Sequence, residues 1–132
     1  MLIEYRLNGA VTAEAVADVF KRSGINRPTR DIQRIQQMLN HANLTVTAWD
    51  GQKLIGIARS LTDFCYCCYL SDLAVDQGYQ RKGIGRELIQ HTRSQLSEQV
   101  SLILLSAPTA MTYYPMVGFE KAENAWIIRR NL

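Results

Sequence analysis

The stretch Gln80-Arg81-Lys82-Gly83-Ile84-Gly85 has the composition of a loop that binds phosphate groups. It follows an apolar stretch that ends at Val75 and precedes residues 84–96, whose apolar positions fall on one face of a helix. A glycine loop at the start of a helix leaves backbone N–H groups without partners, and the positive end of the helix dipole favours an anion there. Positive charge beside this site comes from Arg81, Lys82 and Arg86. The chemistry predicted is therefore the binding of a phosphate or pyrophosphate group.

Two common phosphate-binding motifs fit this stretch only in part. Gly78 and Gly83 have the spacing of a P-loop, but Ile84 and Gly85 stand where lysine and serine or threonine are required. Gly83 and Gly85 supply the first two glycines of a Rossmann turn, but Leu88 takes the third place. Neither a P-loop nor a dinucleotide-binding turn is predicted.

The pattern that fits in full is Gln/Arg-x-x-Gly-x-Gly/Ala over residues 80–85, directly after a predicted strand. It resembles the acetyl-CoA-binding motif of the GCN5-related N-acetyltransferase (GNAT) family. A second segment, residues 110–119, resembles the A-x-x-F-Y-x-x-x-G-F pattern of the same family. Two residues depart from that pattern: Tyr113 replaces the usual phenylalanine, and Pro115 directly follows Tyr114.

The resemblance implies specific roles for residues in both segments. Tyr114 is the expected acid that protonates the departing thiolate, since an unperturbed tyrosine keeps its proton at neutral pH. The backbone N–H of Leu73 is the expected donor to the developing oxyanion. The remaining expected cofactor-binding positions are Ala74, Val75, Gln80, Arg81, Lys82, Gly83, Ile84, Gly85, Arg86 and Tyr113.

The general base is open between three alternatives. Asp72 is the nearest carboxylate in sequence, but strand alternation directs its side chain away from the face of Leu73 and Val75. Asp63 is a second candidate, and proton transfer through solvent is the default. The resemblance places the acceptor beside the first two helices and the third and fourth strands. The expected substrate-binding residues there are Arg59, Asp63, Tyr66 and Tyr69.

The function implied is acetyl-CoA-dependent N-acetylation of a primary amine on a small molecule or a peptide, by direct attack and without a metal. The alternative is a catalytically silent module that binds acyl-CoA as a sensor or scaffold. A homodimer is an expectation of the same kind, since small family members commonly dimerise and the final predicted strand could support one.

Composition is that of one globular domain over residues 1–132, with 47% hydrophobic and 20% charged residues. The net charge of +3 is small and scattered, so no nucleic-acid partner is predicted. No apolar run is long enough to span a membrane. The three cysteines lie together in Cys65-Tyr66-Cys67-Cys68, without zinc spacing, and are interpreted as strand residues in a reducing cytoplasm. A catalytic thiol is the alternative.

The apolar periodicity predicts a mixed α/β fold with the element order β-α-α-β-β-β-α-β-α-β-β. Thr12 and Thr29 are predicted N-caps of the first two helices, and Asp50-Gly51 is a hairpin turn signal. Residues 100–106 form a continuous apolar run, which suits a strand buried on both faces. Two final strands are predicted at 117–121 and 125–130. The resemblance implies a mostly antiparallel sheet in which the fourth and fifth strands are parallel and splay apart, leaving a cofactor cleft.

Overall fold

A computed structural model describes residues 2–131. In chain order the helices and strands are β1 (Ile3–Leu7), α1 (Ala13–Ser23), α2 (Ile32–His41), β2 (Leu44–Asp50), β3 (Lys53–Thr62), β4 (Cys67–Val75), α3 (Ile84–Ser94), β5 (Ser101–Ile103) and α4 (Tyr113–Met116). Short 3-10 turns lie at Gln77–Tyr79 and Pro108–Ala110. None of the helices within the described residues is both long and apolar enough to cross a membrane.

The strands form one sheet in the order β1-β2-β3-β4-β5. All neighbouring pairs are antiparallel except β4 and β5, which are parallel. Only the first three residues of β4, Cys67–Tyr69, pair with β5, at Ser101–Ile103, whereas β4 continues to Val75. The two strands therefore part after Tyr69, and the predicted mixed sheet with a splayed parallel pair is confirmed.

Helices cover both faces of the sheet and bury two apolar clusters. On one face, Phe20 of α1 and Ile35 of α2 pack against Ile57 of β3. On the other face, α3 packs its apolar stripe against β2, β3 and β4. Gly56 of β3 permits this close approach, because a Cβ atom there would lie 3.2 Å from the Leu88 Cδ1 atom. The packing of α3 on the sheet therefore fixes the position of the helix N-terminus.

The helix boundaries follow local signals, with one correction. Thr12 caps α1, accepting a hydrogen bond from the Ala15 N–H at 3.1 Å, and Gly24 ends it in the left-handed conformation at φ 84°. The prediction that Thr29 caps α2 is wrong. Asp31 is the cap and accepts from the Arg34 N–H at 3.1 Å. Residues 28–31 form a turn before the helix, in which the Asp31 N–H donates a hydrogen bond to the Pro28 carbonyl at 3.0 Å. The helix therefore begins later than predicted.

The end of the chain differs most from the prediction. Residues 100–106 do not form a strand buried on both faces: β5 is three residues long, and Ser101, Ile103 and Leu105 are exposed. The strands predicted at 117–121 and 125–130 do not form either, and no helix or strand is present in 119–131. Runs of apolar residues indicate strand propensity, but a strand also needs a neighbour to pair with. Within residues 2–131, the outer edge of β5 and the residues after Gly118 are not paired with each other.

Candidate active site

The glycine loop opens onto α3 in the form that an anion site needs. Gly83 is the N-cap of α3 at φ 80°, and no side chain caps the helix. The N–H groups of its first turn are therefore available to an external acceptor. Ile84 is buried and anchors the turn, whereas Arg81 and Lys82 are exposed beside it. The loop predicted to bind phosphate thus has backbone donors and positive charge at one place.

Buried polar contacts hold the segment before the glycine loop in position. The Asp76 carboxylate accepts a hydrogen bond from the Gly78 N–H at 2.8 Å and is paired with Arg22 at 3.4 Å. The Tyr79 hydroxyl donates to Asp50 at 2.6 Å, at the β2–β3 hairpin. These contacts fix the loop to α1 and to the sheet, so the donors at the start of α3 are oriented before any ligand arrives.

The splayed strands leave backbone groups of β4 facing a gap. The Asp76 N–H donates to the Ile55 carbonyl of β3 at 2.8 Å. Because successive residues of a strand direct their backbone groups to opposite edges, the N–H groups of Val75 and Leu73 point away from β3, into the gap. The Val75 carbonyl on that side accepts from the Gln80 carboxamide at 2.8 Å. The Gln80 side chain therefore connects the glycine loop to the cleft wall.

Tyr114 of α4 packs against the same apolar cluster as Leu73 and Val75. Its ring makes an edge contact with Phe119 at 5.6 Å between centroids and another with Tyr113 at 5.3 Å. Burial raises the pKa of Tyr114 above its ordinary value, and the nearby Arg27 guanidinium opposes that rise. Pro115 lies in the first turn of α4, where its missing N–H leaves no bond unmade. The Tyr114 phenol therefore keeps its proton at neutral pH.

Tyr113 lies against the start of α3. A Cβ atom on Gly85 would come within 2.8 Å of the Tyr113 hydroxyl oxygen, so only glycine fits at position 85 without displacing that side chain. Burial raises the pKa of Tyr113, while Arg86 acts in the opposite direction. The second glycine of the motif therefore has a packing role here, because it lets Tyr113 of α4 approach the start of α3.

Asp72 lies in a buried charge cluster rather than at a reactive position. Its side chain is fully buried and accepts hydrogen bonds from the Nε atoms of Arg27, at 2.5 Å, and Arg59. Both arginines also bond Ser71, Arg27 through the carbonyl at 2.7 Å and Arg59 through the hydroxyl at 3.0 Å. Ser71 lies where the β3–β4 register shifts, which marks a β-bulge. The cluster ties the α1–α2 loop, which carries Arg27, to this bulge.

This cluster corrects two sequence-based interpretations. The Asp72 carboxylate is closed to solvent and faces two guanidinium groups, so no acceptor amine can reach it and Asp72 is not assigned as the general base. The sequence predicts that Arg59 binds the acceptor, but its side chain is 8% exposed and its remaining donors reach Ser71 and the Met38 carbonyl. We therefore assign Arg59 to the support of the β3–β4 bulge.

Asp63, Tyr66 and Tyr69 do not converge on Arg59. Asp63 closes the β3–β4 turn, where its Oδ1 atom accepts from the N–H groups of Cys65, Tyr66 and Cys67 at 2.8–3.0 Å. These bonds hold its pKa far below the usual range, which makes it a weak base. Tyr66 is largely exposed on this turn, whereas Tyr69 lies where β4 and β5 part. Of the predicted acceptor residues, Tyr69 alone lies at the mouth of the gap.

The sequence places the Gly24–Pro28 loop near the acceptor, but it does not reveal the pairing of Arg27 with Asp72 or the role of Ser71, which shape this side of the site. Arg27 lies in a loop and has no periodic pattern around it, and its partner is 45 residues away. The bulge at Ser71 leaves no signal in the strand pattern. The part of the chain that the structure describes contains no group of three side chains suited to hold a metal ion.

Comparison with known proteins identifies relatives in sequence. The family model of the Acetyltransferase (GNAT) domain matches residues 9–128. The soybean (Glycine max) protein named histone acetyltransferase TAP1 is 35% identical over 71 residues, which cover 52% of this chain and 31% of the soybean protein. The chain therefore spans about a third of the length of this curated relative.

Solved structures show the same fold. A probable acetyltransferase of meticillin-resistant Staphylococcus aureus has a TM-score of 0.82 at 23% identity, covering 98% of this chain and 100% of that one. The aminoglycoside N-acetyltransferase AAC(6')-Iy, in complex with CoA, has a TM-score of 0.71 at 14% identity, covering 99% and 96%. Since the family model matches most of the sequence and the splayed sheet agrees with it, this chain belongs to the GNAT family of acetyltransferases.

Proposed function

We propose that this chain is an acetyl-CoA-dependent N-acetyltransferase that acetylates a primary amine of a small molecule or peptide. The observation that carries the proposal is the uncapped start of α3, which opens beside the gap between β4 and β5 where Tyr114 is packed. Family membership supports acetyl transfer in general. The CoA bound by the structurally similar aminoglycoside N-acetyltransferase supports the cofactor class.

The pyrophosphate of acetyl-CoA is expected to bind at the first-turn N–H groups of α3. Arg81 and Lys82 are exposed there and supply counter-charge. A groove of about 190 Å³ continues from this point between α3 and α4, lined by Arg86 and Arg93 among others. It suits the phosphorylated nucleotide end of the cofactor. The pantetheine arm would then extend along β4 and bond the N–H groups of Val75 and Leu73 that face the gap, as an added strand would.

The chemical step requires a donor to the thioester oxygen and an acid for the departing sulfur. The Leu73 N–H faces the gap and is the proposed oxyanion donor. The free amine attacks the carbonyl carbon, the C–S bond breaks, and Tyr114 gives its proton to the thiolate. The proton lost by the amine passes to solvent, because Asp72 is enclosed by two arginines and the pKa of Asp63 is held far below its usual range. No acyl-enzyme is needed, so the cysteines have no role in this step.

The test measures CoA release from acetyl-CoA across a panel of primary amines. Cys65 and Cys67 are exposed thiols that would react with a thiol reagent, so the assay uses the Cys65→Ser/Cys67→Ser protein. Amine-dependent release together with an acetylated product is the expected result. Tight acetyl-CoA binding with no release over the whole panel would instead favour the alternative, a silent acyl-CoA sensor or scaffold.

Gly83→Asp is expected to weaken acetyl-CoA binding about tenfold or more relative to Gly83→Asn. Both side chains have nearly the same size, and asparagine and aspartate both tolerate the left-handed conformation that Gly83 adopts. Only aspartate adds a negative charge beside the expected pyrophosphate. Calorimetric titration of both variants with CoA measures the difference. Equal affinities would place the phosphates elsewhere.

The pH profile of kcat/KM is expected to rise from pH 6 with deprotonation of the acceptor amine and to show no falling limb below about pH 10. Tyr114 acts in its protonated form, and burial raises its pKa, so the loss of that form moves to higher pH. Rates with one amine between pH 6 and pH 10 measure this. A falling limb near pH 8 would contradict the assignment of Tyr114 as the acid.

A further inference from the structure

A row of apolar side chains crosses the sheet at the point where β4 and β5 part. Tyr69 of β4 is paired with Leu61 of β3 on one side and with Ile103 of β5 on the other. Residues paired on neighbouring strands point to the same face, so these three side chains form one row, here called the apolar row. Leu61 is 38% exposed, Tyr69 39% and Ile103 50%. A contiguous apolar surface that stays exposed marks a candidate binding surface.

The apolar row lies on the face of the sheet that carries α1 and α2. Leu70 follows Tyr69 and packs in the apolar cluster beneath α3. Leu102 precedes Ile103 and packs in the same cluster. Because successive strand residues alternate between the two faces, Tyr69 and Ile103 point away from α3. On their own face, α1 and α2 cover the sheet around Ala74, further along β4, and leave the apolar row open to solvent.

The apolar row borders the proposed site of acetyl transfer. Tyr69 is the last residue of β4 that pairs with β5, and the N–H of Leu73, the proposed oxyanion donor, lies four residues further along β4. At about 3.3 Å per residue, roughly 13 Å separate the two positions along the strand. Carbon–carbon bonds of about 1.5 Å make an amine with a four-carbon chain and a ring roughly 10 Å long. Such an amine can react beside Leu73 while its ring contacts the apolar row.

The charges on this side of the sheet do not favour an acceptor with several positive charges. The α1–α2 loop, the β3–β4 turn and β4 contribute three carboxylates. Asp72 is enclosed by two guanidinium groups, and Asp63 accepts hydrogen bonds from three N–H groups of its own turn. Asp31 accepts from the Arg34 N–H at 3.1 Å and has exposed Arg30 beside it. These carboxylates are therefore engaged with N–H and guanidinium groups, whereas the apolar row is uncharged.

We propose that the acceptor is a small primary amine whose body is an uncharged ring or branched alkyl group, and that this body binds on the apolar row. The proposal rests on the proposed N-acetylation and names its acceptor class. A flat ring can pack against the Tyr69 ring, with Leu61 and Ile103 on either side. Three partly exposed side chains offer far less area than the roughly 800 Å² per partner of a stable protein interface, so a small molecule fits the row better than a protein.

Three amines with the same four-carbon chain test the acceptor class. Butylamine ends in a methyl group, 4-phenylbutylamine in a ring and 1,4-diaminobutane in a second ammonium group. The acetylated product is measured by mass, so the exposed cysteines need no substitution. We expect kcat/KM for 4-phenylbutylamine to exceed that for butylamine by about tenfold or more, because the ring buries apolar area on the row. The value for 1,4-diaminobutane, per amine, should fall below that for butylamine.

Substitutions in the apolar row test where the ring binds. Tyr69→Thr and Ile103→Thr keep strand propensity but remove most of the apolar side chain. Each should lower the ratio of kcat/KM for 4-phenylbutylamine to that for butylamine by about threefold or more. Leu7→Thr is the control, since Leu7 is 46% exposed on β1 at the opposite edge of the sheet, and it should not change this ratio. Ile103→Glu should raise kcat/KM for 1,4-diaminobutane above that for butylamine, a gain that loss of folding cannot produce.

The outcomes separate this proposal from the proposed function. If the wild-type protein uses 1,4-diaminobutane as well as 4-phenylbutylamine, or if neither threonine variant changes the ratio, the acceptor class is wrong and N-acetylation stands. If no amine yields an acetylated product, the proposed function fails and the acceptor class fails with it. Light scattering tests a second copy as the occupant of the row. A dimer that Tyr69→Thr converts to the single chain mass of 15.0 kDa would assign the row to a contact between copies and overturn the proposal.

Discussion

Tyr114→Phe is expected to lower kcat by roughly 100-fold or more while the dissociation constant for CoA stays within about twofold. General acid catalysis typically contributes factors of about 10² to 10⁴. The substitution removes only the hydroxyl, while the edge contact with Phe119 at 5.6 Å and the apolar packing remain. The lost rate therefore reports proton transfer to the thiolate rather than a loss of structure.

Tyr5→Phe is the matched control for this experiment. Tyr5 is also half-buried, stacks on His91 at 4.8 Å, and lies on β1 at the other side of the sheet from β5. The same loss of one hydroxyl should leave turnover unchanged. The comparison uses single-turnover rates at saturating acetyl-CoA and an isothermal titration with CoA. Unaltered turnover in Tyr114→Phe would remove the phenol from the mechanism, and a large loss of CoA affinity would give it a binding role.

The conformation of the glycine loop at the start of α3 could be predicted from sequence because its determinants are local. Gly83 supplies the left-handed residue that ends the loop, and the apolar periodicity from Ile84 onward specifies the helix that follows. The same holds for Thr12 and Gly24, which bound α1 through their own short-range hydrogen bonds. The α2 cap was misplaced by two residues, because both Thr29 and Asp31 are good caps and the turn at 28–31 decides between them.

Interactions between distant segments could not be predicted in this way. Asp72 has the sequence position of a general base, but its burial depends on Arg27, 45 residues earlier, and Arg59, 13 residues earlier. The Asp63 carboxylate accepts hydrogen bonds from backbone N–H groups of its own turn. These bonds can be predicted only when the conformation of that turn is known. The residues of 125–130 have strand propensity, but the structure forms no strand there, because pairing depends on a neighbour that the sequence pattern does not name.

The buried cluster of Asp72, Arg27 and Arg59 also connects the fold to the site. Arg27 and Arg59 reach the same carboxylate from the α1–α2 loop and from β3. They hold that loop against the bulge at Ser71, next to the gap in which Leu73 directs its N–H group. The α1–α2 loop and the proposed oxyanion donor are therefore positioned by one group of contacts.

Asp72→Asn is expected to lower the free energy of unfolding by about 3–5 kcal/mol. The substitution removes the one negative charge that balances the Arg27 and Arg59 guanidinium groups at this buried position. That is a large share of the roughly 5–15 kcal/mol available to a domain of this size. Urea unfolding followed by circular dichroism measures the change. Asp18→Asn is the matched control: Asp18 pairs with Arg22 at 3.0 Å but is 55% exposed, and its loss should cost less than about 1 kcal/mol.

A triple variant keeps the Asp72 prediction testable if Asp72→Asn does not fold. Replacing Asp72 with leucine and both arginines with methionine removes all three charges at similar volume, which is often neutral for buried ion clusters. This variant should recover most of the lost unfolding free energy. Its KM for the acceptor amine should nevertheless rise, since Arg27 no longer ties the α1–α2 loop to Ser71 through the bond at 2.7 Å. If stability recovers and the KM for the acceptor amine is unchanged, the cluster contributes to folding but not to acceptor binding.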